Sequence, residues 1–343
     1  MKIAVIGWYH HQNIGDDYIL QCLKWFFNKH EIYPFDVTHA EENIDKINLC
    51  DYVLFGGGGL LLRGFNSLYG LFDKISRPLG CIGIGVEAMN NDMKRTVNLL
   101  LEKSNFVLVR DKESRELLGN HSKTIVGHDL TFLYSYDLVD PIEQRIVGLN
   151  LRDWRWFRAE LGGKYWALLN ILDKNVKSFK KIWPFRKWDE SKFVNLLHSF
   201  KAEIFPMPFY LEEKGLGFVS DVDVLRRYFD WVPTTFDISW FKKIRYLVAM
   251  RFHVILFSVQ CGIPFICISY QPKCTRFCQS IGMNHYCLDP FSDYNKIIDK
   301  LFDLENNYET IRQNLVLQRQ KLSNDINYLM NEILQLMESE VGS

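Results

Sequence analysis

Along the first third of the chain, short apolar runs alternate with stretches whose apolar residues recur at helical spacing, the pattern of a parallel α/β sheet. Ile3-Ala-Val-Ile6 reads as the first strand. After the loop 7–17, Ile19, Leu20, Leu23, Phe26 and Phe27 mark one face of a helix. Tyr52-Val-Leu-Phe55, Cys81-Ile-Gly83-Ile-Gly85, Phe106-Val-Leu-Val109 and Thr124-Ile-Val126 read as further strands, and Asp111 as the cap of a helix through Leu117 and Leu118. Glycine or charged residues follow the strands: Gly56 to Gly59, Glu87, Arg110 with Asp111, and His128 with Asp129. Open α/β sheets bind their ligands at those carboxyl ends.

The pattern restarts beyond the polar pair Asp140-Pro141 with Arg145-Ile-Val-Gly148-Leu-Asn-Leu151-Arg152. This predicts an N-terminal α/β domain over residues 1–142, a second α/β domain over 143–322, and a helical tail over 323–343. Core elements of the second domain are expected at 148–151, 203–206, 244–247 with the following helix, and 265–269. From Asp289 to Met337, Leu and Ile at helical spacing predict one or two terminal helices.

The longest apolar run, Tyr246 to Tyr270, carries Arg251 and His253, followed by Gly262-Ile-Pro264 and a strand ending at Ser269-Tyr270-Gln271-Pro272-Lys273. An arginine and a histidine are costly to bury alone, so they are expected at a pocket mouth or against an anion. Arg251, Lys273 and Arg152 should face the same sheet edge, where guanidinium groups suit bidentate carboxylate or phosphate. Two features of the first half bear on ligands as well. Asn13-Ile-Gly15-Asp16-Asp17 opens onto a helix N-terminus, where an Asp is either a plain N-cap or part of an anion site. Four glycines, Gly56 to Gly59, after a strand form either a tight strand-to-helix turn or a backbone that phosphate or sugar can approach; they match neither a P-loop nor a dinucleotide fingerprint.

Composition narrows the classes. Formal net charge is zero, which argues against a nucleic-acid partner. None of the eight cysteines forms a C-x-x-C pair, so neither a zinc knuckle nor a disulfide scaffold is indicated, and no metal ligand set is expected. The chain enters its first strand without a signal-peptide pattern, and Arg251 and His253 interrupt the longest candidate for a bilayer span. A cytoplasmic protein is expected. One interval departs from the regular layout: residues 152–187 carry ten Arg or Lys against three Asp or Glu, and five of nine tryptophans lie between Trp154 and Trp188. Leu168, Leu172, Val176, Phe179 and Trp183 make one helical stripe with lysines on the polar side. That segment, 154–188, either packs on its domain or lies on an anionic membrane surface, at the inner face of the plasma membrane.

Taken together, Asn13-Ile-Gly15-Asp16, the run Phe55 to Leu61, Gly83-Ile-Gly85, Arg110-Asp111, His128-Asp129, Gly148 to Arg152, and above all Arg251-Phe252-His253 with Gly262-Ile-Pro264 and Ser269-Tyr270-Gln271-Pro272-Lys273, resemble the polysaccharide pyruvyl transferase family. The resemblance implies two Rossmann-like α/β domains arranged as in GT-B glycosyltransferases, with the active site in the interdomain cleft. It implies transfer of a pyruvyl group from phosphoenolpyruvate to a sugar diol, without a further cofactor, giving a cyclic ketal on a cell-surface polysaccharide or its lipid-linked, undecaprenyl-type precursor. The sequence departs from the pattern at His10-His11-Gln12, where the family often has a glycine, and at Gln271, where an aspartate is common.

Such a reaction needs an acid for the enol methylene, a base for the hydroxyl, and cations for the carboxylate and the departing phosphate. Imidazole changes charge near neutral pH, which suits His253 to proton transfer. Arg251 and Arg152 are the implied clamp, with Lys273 beside them. Asp16 and Asp129 are the candidates for sugar hydroxyls or base assistance, with Asn13 and the approach over Gly57, Gly58 and Gly59 on the acceptor side. Two other readings stand beside this one: a GT-B glycosyltransferase using a nucleotide sugar, and a non-catalytic partner in polysaccharide assembly.

Overall fold

The computed structural model describes residues 1–61, 68–86, 89, 91–152, 190–211, 219–290 and 292–342. The chain divides into two compact units, Met1–Tyr136 with Leu317–Ser343, and Asp137–Val316. The segment 154–188, expected either to pack on its domain or to lie on a membrane surface, lies outside the described residues.

The first unit holds, among the described residues, a six-stranded parallel sheet in the order β2-β1-β3-β4-β5-β6. Its strands are β1 (Lys2–Gly7), β2 (Glu31–Asp36), β3 (Tyr52–Leu61), β4 (Leu79–Val86), β5 (Ser104–Val109) and β6 (Thr124–Val126). Helices α1 (Ile14–Phe26), α2 (Ile44–Asn48), α3 (Tyr69–Lys74), α4 (Asn91–Lys103) and α5 (Lys112–Leu117) connect them. β4 is buried along its whole length, as parallel strands covered on both faces are. Asp111 caps α5 as expected, its carboxylate accepting from Ser114 N at 2.7 Å. The edge strand β2 has no counterpart in the sequence expectation. Its pattern Glu31-Ile-Tyr-Pro34-Phe-Asp36 is half exposed and contains a proline, which a sheet tolerates at an edge and which conceals the strand from a pattern search.

The glycine run corrects one expectation. Gly56 to Gly59 form no turn; they lie inside β3, which pairs with β4 through Gly56↔Ile82 and Gly58↔Ile84 and shifts register before Leu61. Gly56, Gly57 and Gly58 have φ of +134°, +86° and +91°, so only glycine holds the strand in that course without strain.

The second unit holds, among the described residues, a five-stranded parallel sheet in the order β11-β10-β9-β7-β8. The strands are β7 (Ile146–Asn150), β8 (Glu203–Pro206), β9 (Tyr246–Ala249), β10 (Phe265–Ile268) and β11 (Cys287–Leu288). The helices are α6 (Glu190–Ser199), α7 (Asp221–Leu225), α8 (Phe252–Cys261), α9 (Pro272–Ser280), α10 (Tyr294–Asn306) and α11 (Tyr308–Gly342). Helix α8 is buried all round except at His253, and it ends where the sequence predicts: Gly262 takes the left-handed C-cap at φ +70°. The two terminal helices are α10 and α11. Residues of α11 from Leu317 onward belong to the first unit.

In each sheet the strand order reverses once, between β1 and β3 in the first unit and between β7 and β9 in the second. Connections leave such a point on opposite faces, opening a crevice at the strand ends where open α/β sheets take their ligands. No helix among the described residues is long and apolar enough to cross a membrane.

Candidate functional site

The second unit's switch point carries the two arginines. Asn150 of β7 is in register with Ala249 of β9, and Arg152 and Arg251 each stand two residues further along their own chain. The Arg251 guanidinium is fixed by Asp221, the first residue of α7, through Nε to Oδ2 and Nη2 to Oδ1, both at 2.6 Å. Asp221 is fully buried and accepts three more hydrogen bonds, from Asn150 Nδ2 at 3.1 Å, Phe209 N at 3.0 Å and Tyr210 N at 3.2 Å. Asn150 closes the loop by accepting from Arg251 N at 3.0 Å, and the guanidinium lies 5.1 Å from the Tyr210 ring centroid. A buried pair held by this many bonds fixes where the cation points. The pair engages Nε and Nη2, which leaves Nη1 as the edge of the group turned elsewhere.

Arg152 is buried beside it. Its Nη1 donates to the Tyr270 hydroxyl at 2.5 Å, and the guanidinium carbon is 4.9 Å from the Tyr270 ring centroid. Burial pulls the Arg152 pKa below the ordinary guanidinium value, and the neighbouring Arg251 charge pulls in the same direction, against Tyr270 and Asp221. Arg251 moves the other way: burial lowers its pKa, but Asp221 outweighs burial and the net shift is upward. Two cations in electrostatic reach of each other with one carboxylate between them favour an anionic ligand.

His253 and Lys273 are brought to one side chain. His253 is the second residue of α8, half-buried, with its ring centroid 5.6 Å from that of Phe252. Lys273 is the second residue of α9, with Nζ 5.9 Å from the same Phe252 centroid. Both therefore stand in the first turns of helices that start at this sheet edge, where backbone N–H groups add to the attraction for anions.

The expected residues of the first unit gather at two places. Asn13, not an aspartate, occupies the N-cap of α1, and its Nδ2 donates to Asp16 Oδ2 at 2.5 Å. Asp16 and Asp17 lie in the first turn, where the helix dipole favours carboxylates. Asp17 Oδ1 accepts from His10 N at 2.7 Å. Asp16 is buried over the glycine strand: a Cβ on Gly58 would lie 2.6 Å from its Oδ1, and one on Gly57 would lie 2.5 Å from Ile19 Cγ2. Gly59 follows in the same strand. His10 and Gln12, in the stretch where the family often has glycine, have φ of +68° and +51°. The loop keeps a left-handed course without glycine, braced by His11, which stacks on Trp8 and pairs with Asp36 at 2.9 Å. Asp129 is elsewhere, capping a short 3-10 turn through Thr131 N at 3.1 Å and lying 3.8 Å from Arg110 Nη1. Arg110 lies flat on Gly85, where a Cβ would fall 2.2 Å from its Nη2.

The sequence reading missed Asp221, Asn150, Tyr210 and Tyr270 as site residues. Ser220-Asp221 looks like any helix start, and Ser220 does cap α7. Only the fold brings its neighbour to Arg251.

A sequence model described as polysaccharide pyruvyl transferase matches residues 13–272, well over half of the chain. The chain belongs to that family. Among curated proteins none matches significantly. The match takes in Asn13, Asp16, Gly57, Gly58, Gly59, Asp129, Arg152, Arg251 and His253, while Lys273 is the first residue beyond it. The chain's fold is similar to that of Anabaena HepE solved with UDP and glucose (TM-score 0.55, 10% identity, 98% of this chain and 99% of that one). It is similar to MnaA from S. aureus solved with UDP (TM-score 0.51, 10% identity, 96% and 97%) and to the glycosyltransferase VinC solved with dTDP (TM-score 0.50, 10% identity, 99% and 100%). At that identity the likeness is one of fold: α/β, two Rossmann-like units, GT-B-like.

Proposed function

We propose that the transferase uses phosphoenolpyruvate as donor and closes a cyclic pyruvate ketal on a sugar diol of a cell-surface polysaccharide or its undecaprenyl-type, lipid-linked precursor. The observation that carries this reading is the pair Arg152 and Arg251, registered on either side of the second sheet's switch point and oriented by Tyr270 and Asp221. A ligand with a carboxylate and a phosphate on one carbon needs two separate cationic donors at fixed spacing, and a guanidinium serves either group. Lys273 and the first turns of α8 and α9 add donors for the phosphate.

On this reading one acceptor hydroxyl adds to C2 of the enol phosphate, giving its proton to Asp16, while C3 takes a proton from His253. The second hydroxyl then displaces inorganic phosphate at C2 and closes the ring, its proton restoring His253, while the proton held by Asp16 leaves with the phosphate. Asp16, steadied by Asn13 over the Gly57 to Gly59 strand, is assigned to the acceptor hydroxyls. Arg251 is a clamp whose direction is set by Asp221. No other cofactor is called for. The protein would act in the cytoplasm, at the inner face of the plasma membrane where a lipid-linked acceptor is presented, with 154–188 as the contact.

The test is incubation of purified protein with phosphoenolpyruvate and lipid-linked oligosaccharides. Mass spectrometry should show acceptor gaining a pyruvate ketal, with stoichiometric phosphate release, and His253→Gln should lose both while keeping its melting profile. A GT-B glycosyltransferase is the second reading, favoured by the nucleotides bound to HepE, MnaA and VinC. Thermal stabilisation by a UDP or GDP sugar but not by phosphoenolpyruvate would overturn ketal formation in its favour.

A further inference from the structure

The fold gathers cysteines that the sequence keeps apart. Cys267 of β10 and Cys287 of β11 are paired in register on adjacent strands, and α9 lies over them with Cys274 and Cys278 one helical turn apart. Among the described residues, the Sγ atoms of Cys267, Cys278 and Cys287 all lie within 4.8 Å of one another. Cys267 and Cys278 are buried and Cys287 is partly so. Cys274 shares a hydrogen bond with Cys267, and its Sγ also donates to Met250 O at 3.8 Å. None of the four is in a disulfide.

Single buried cysteines are ordinarily small apolar fillers, packed against aliphatic groups. Here three sulfurs from three different elements face each other instead. Cys287 accepts hydrogen bonds from the Cys267 and Cys278 thiols and from the Thr275 and Ser269 hydroxyls. Those hydroxyls are themselves 2.7 Å apart. Tetrahedral zinc with zinc–sulfur bonds of about 2.3 Å holds its sulfurs about 3.8 Å apart, so the cluster needs to contract by only about 1 Å. The absence of a C-x-x-C pair does not bear on this, because a strand pair and a helix supply the ligands.

We propose that Cys267, Cys278 and Cys287 are a three-thiolate site for a thiophilic divalent ion of the zinc class. Binding displaces one proton from each thiol that ligates, and the ion ties β10 and β11 to α9. The Ser269 and Thr275 hydroxyls orient Cys287 from outside the coordination sphere. The site is independent of whether the reaction is ketal formation or glycosyl transfer.

The full chain is expressed in zinc-supplemented medium, purified reduced and without chelator, and analysed by elemental mass spectrometry and intact mass. About one zinc per chain is expected, and cobalt(II) should give thiolate-to-metal charge-transfer absorption with tetrahedral ligand-field bands. Cys278→Ser and Cys287→Ser should lower metal content about tenfold, whereas Cys50→Ser, in the first unit, should leave it unchanged. Because the serine variants can fail to fold, the parent is also melted with and without a zinc chelator; a lower melting temperature on chelation, restored by zinc, is expected. The proposal falls if the folded, reduced parent holds under about a tenth of an equivalent of zinc and cobalt and its melting temperature ignores both chelator and zinc. A disulfide among the three in the isolated reduced protein would overturn it equally.

Discussion

Asp221→Asn is the sharpest perturbation of the site because it keeps shape and removes only charge and one acceptor. All five groups that reach the carboxylate are donors: Arg251 Nε, Arg251 Nη2, Asn150 Nδ2, Phe209 N and Tyr210 N. An amide oxygen in place of Oδ2 keeps four of them, three from neutral donors and one from Arg251 Nε, but the amide NH2 then points at Arg251 Nη2, donor against donor. With Asp221 fully buried and the Arg251 side chain 12% exposed, the guanidinium loses its counter-charge where water reaches it poorly. Breaking such a pair costs about 3–5 kcal/mol. Arg251→Met leaves the carboxylate three neutral donors, so the double variant should recover about 1–3 kcal/mol relative to the sum of the singles. Urea unfolding of the four proteins gives the cycle, with hydrogen exchange of β7 and β9 peptides locating the loss in the second unit. Stabilisation by phosphoenolpyruvate should disappear in Asp221→Asn at denaturant concentrations where the variant is still folded. A variant within about 1 kcal/mol of the parent, or strict additivity in the cycle, would refute the view that this pair sets the arginine.

Gly58→Ala places a Cβ at φ +91° and 2.6 Å from Asp16 Oδ1, whereas Gly119→Ala meets only the backbone cost at φ +71° with open space around it. The positive φ should cost about 1–3 kcal/mol in each, and Gly58→Ala should lose more, with a raised KM for the sugar acceptor and little change for phosphoenolpyruvate. Equal losses in the two variants would detach Asp16 from the glycine strand. His128, 3.3 Å from Asp325, is held below its ordinary imidazole pKa of 6.5 by burial, against the pull of Asp325 and Asp129 and with Lys321 pressing the same way as burial. The unfolded chain then binds the proton first, so the stability His128 contributes is complete above pH 6.5 and is lost as pH falls through the lower folded value. Thermal melts from pH 7.5 to pH 5 (about that span) should show the parent's decline flattened in His128→Gln; parallel curves would remove this group from the pH response.

What the sequence shows and what it hides divide along one physical line. Periodicity and local chemistry are short-range, and they place β1, β3 to β6, α8 with its Gly262 cap, and Asp111 at the head of α5. The course of β3 is not short-range in the same sense. Four glycines look like a turn until the helix that must lie on them is present, and then Ile19 and Asp16 account for the missing side chains. Arg251 and His253 are conspicuous because an apolar run surrounds them, but the residue that orients Arg251 is 30 positions away in a commonplace helix start, and Asn150, which binds both, is 101 away from it.

Those long separations are also why the arginines are informative. In a parallel sheet the register of two strands fixes the spacing of whatever follows them, so Asn150↔Ala249 pairing determines the spacing of Arg152 and Arg251 before any ligand is considered. A slip of one residue in β9 would turn Arg251 to the opposite face of the sheet and strand Asp221 without its cation. Burial of both strands forbids that slip, because Tyr246, Leu247, Val248 and Ala249 are all fully enclosed. The apolar core of the second unit thus sets the distance between two charges, and the anion that fits is one whose two negative groups match a distance chosen by strand pairing.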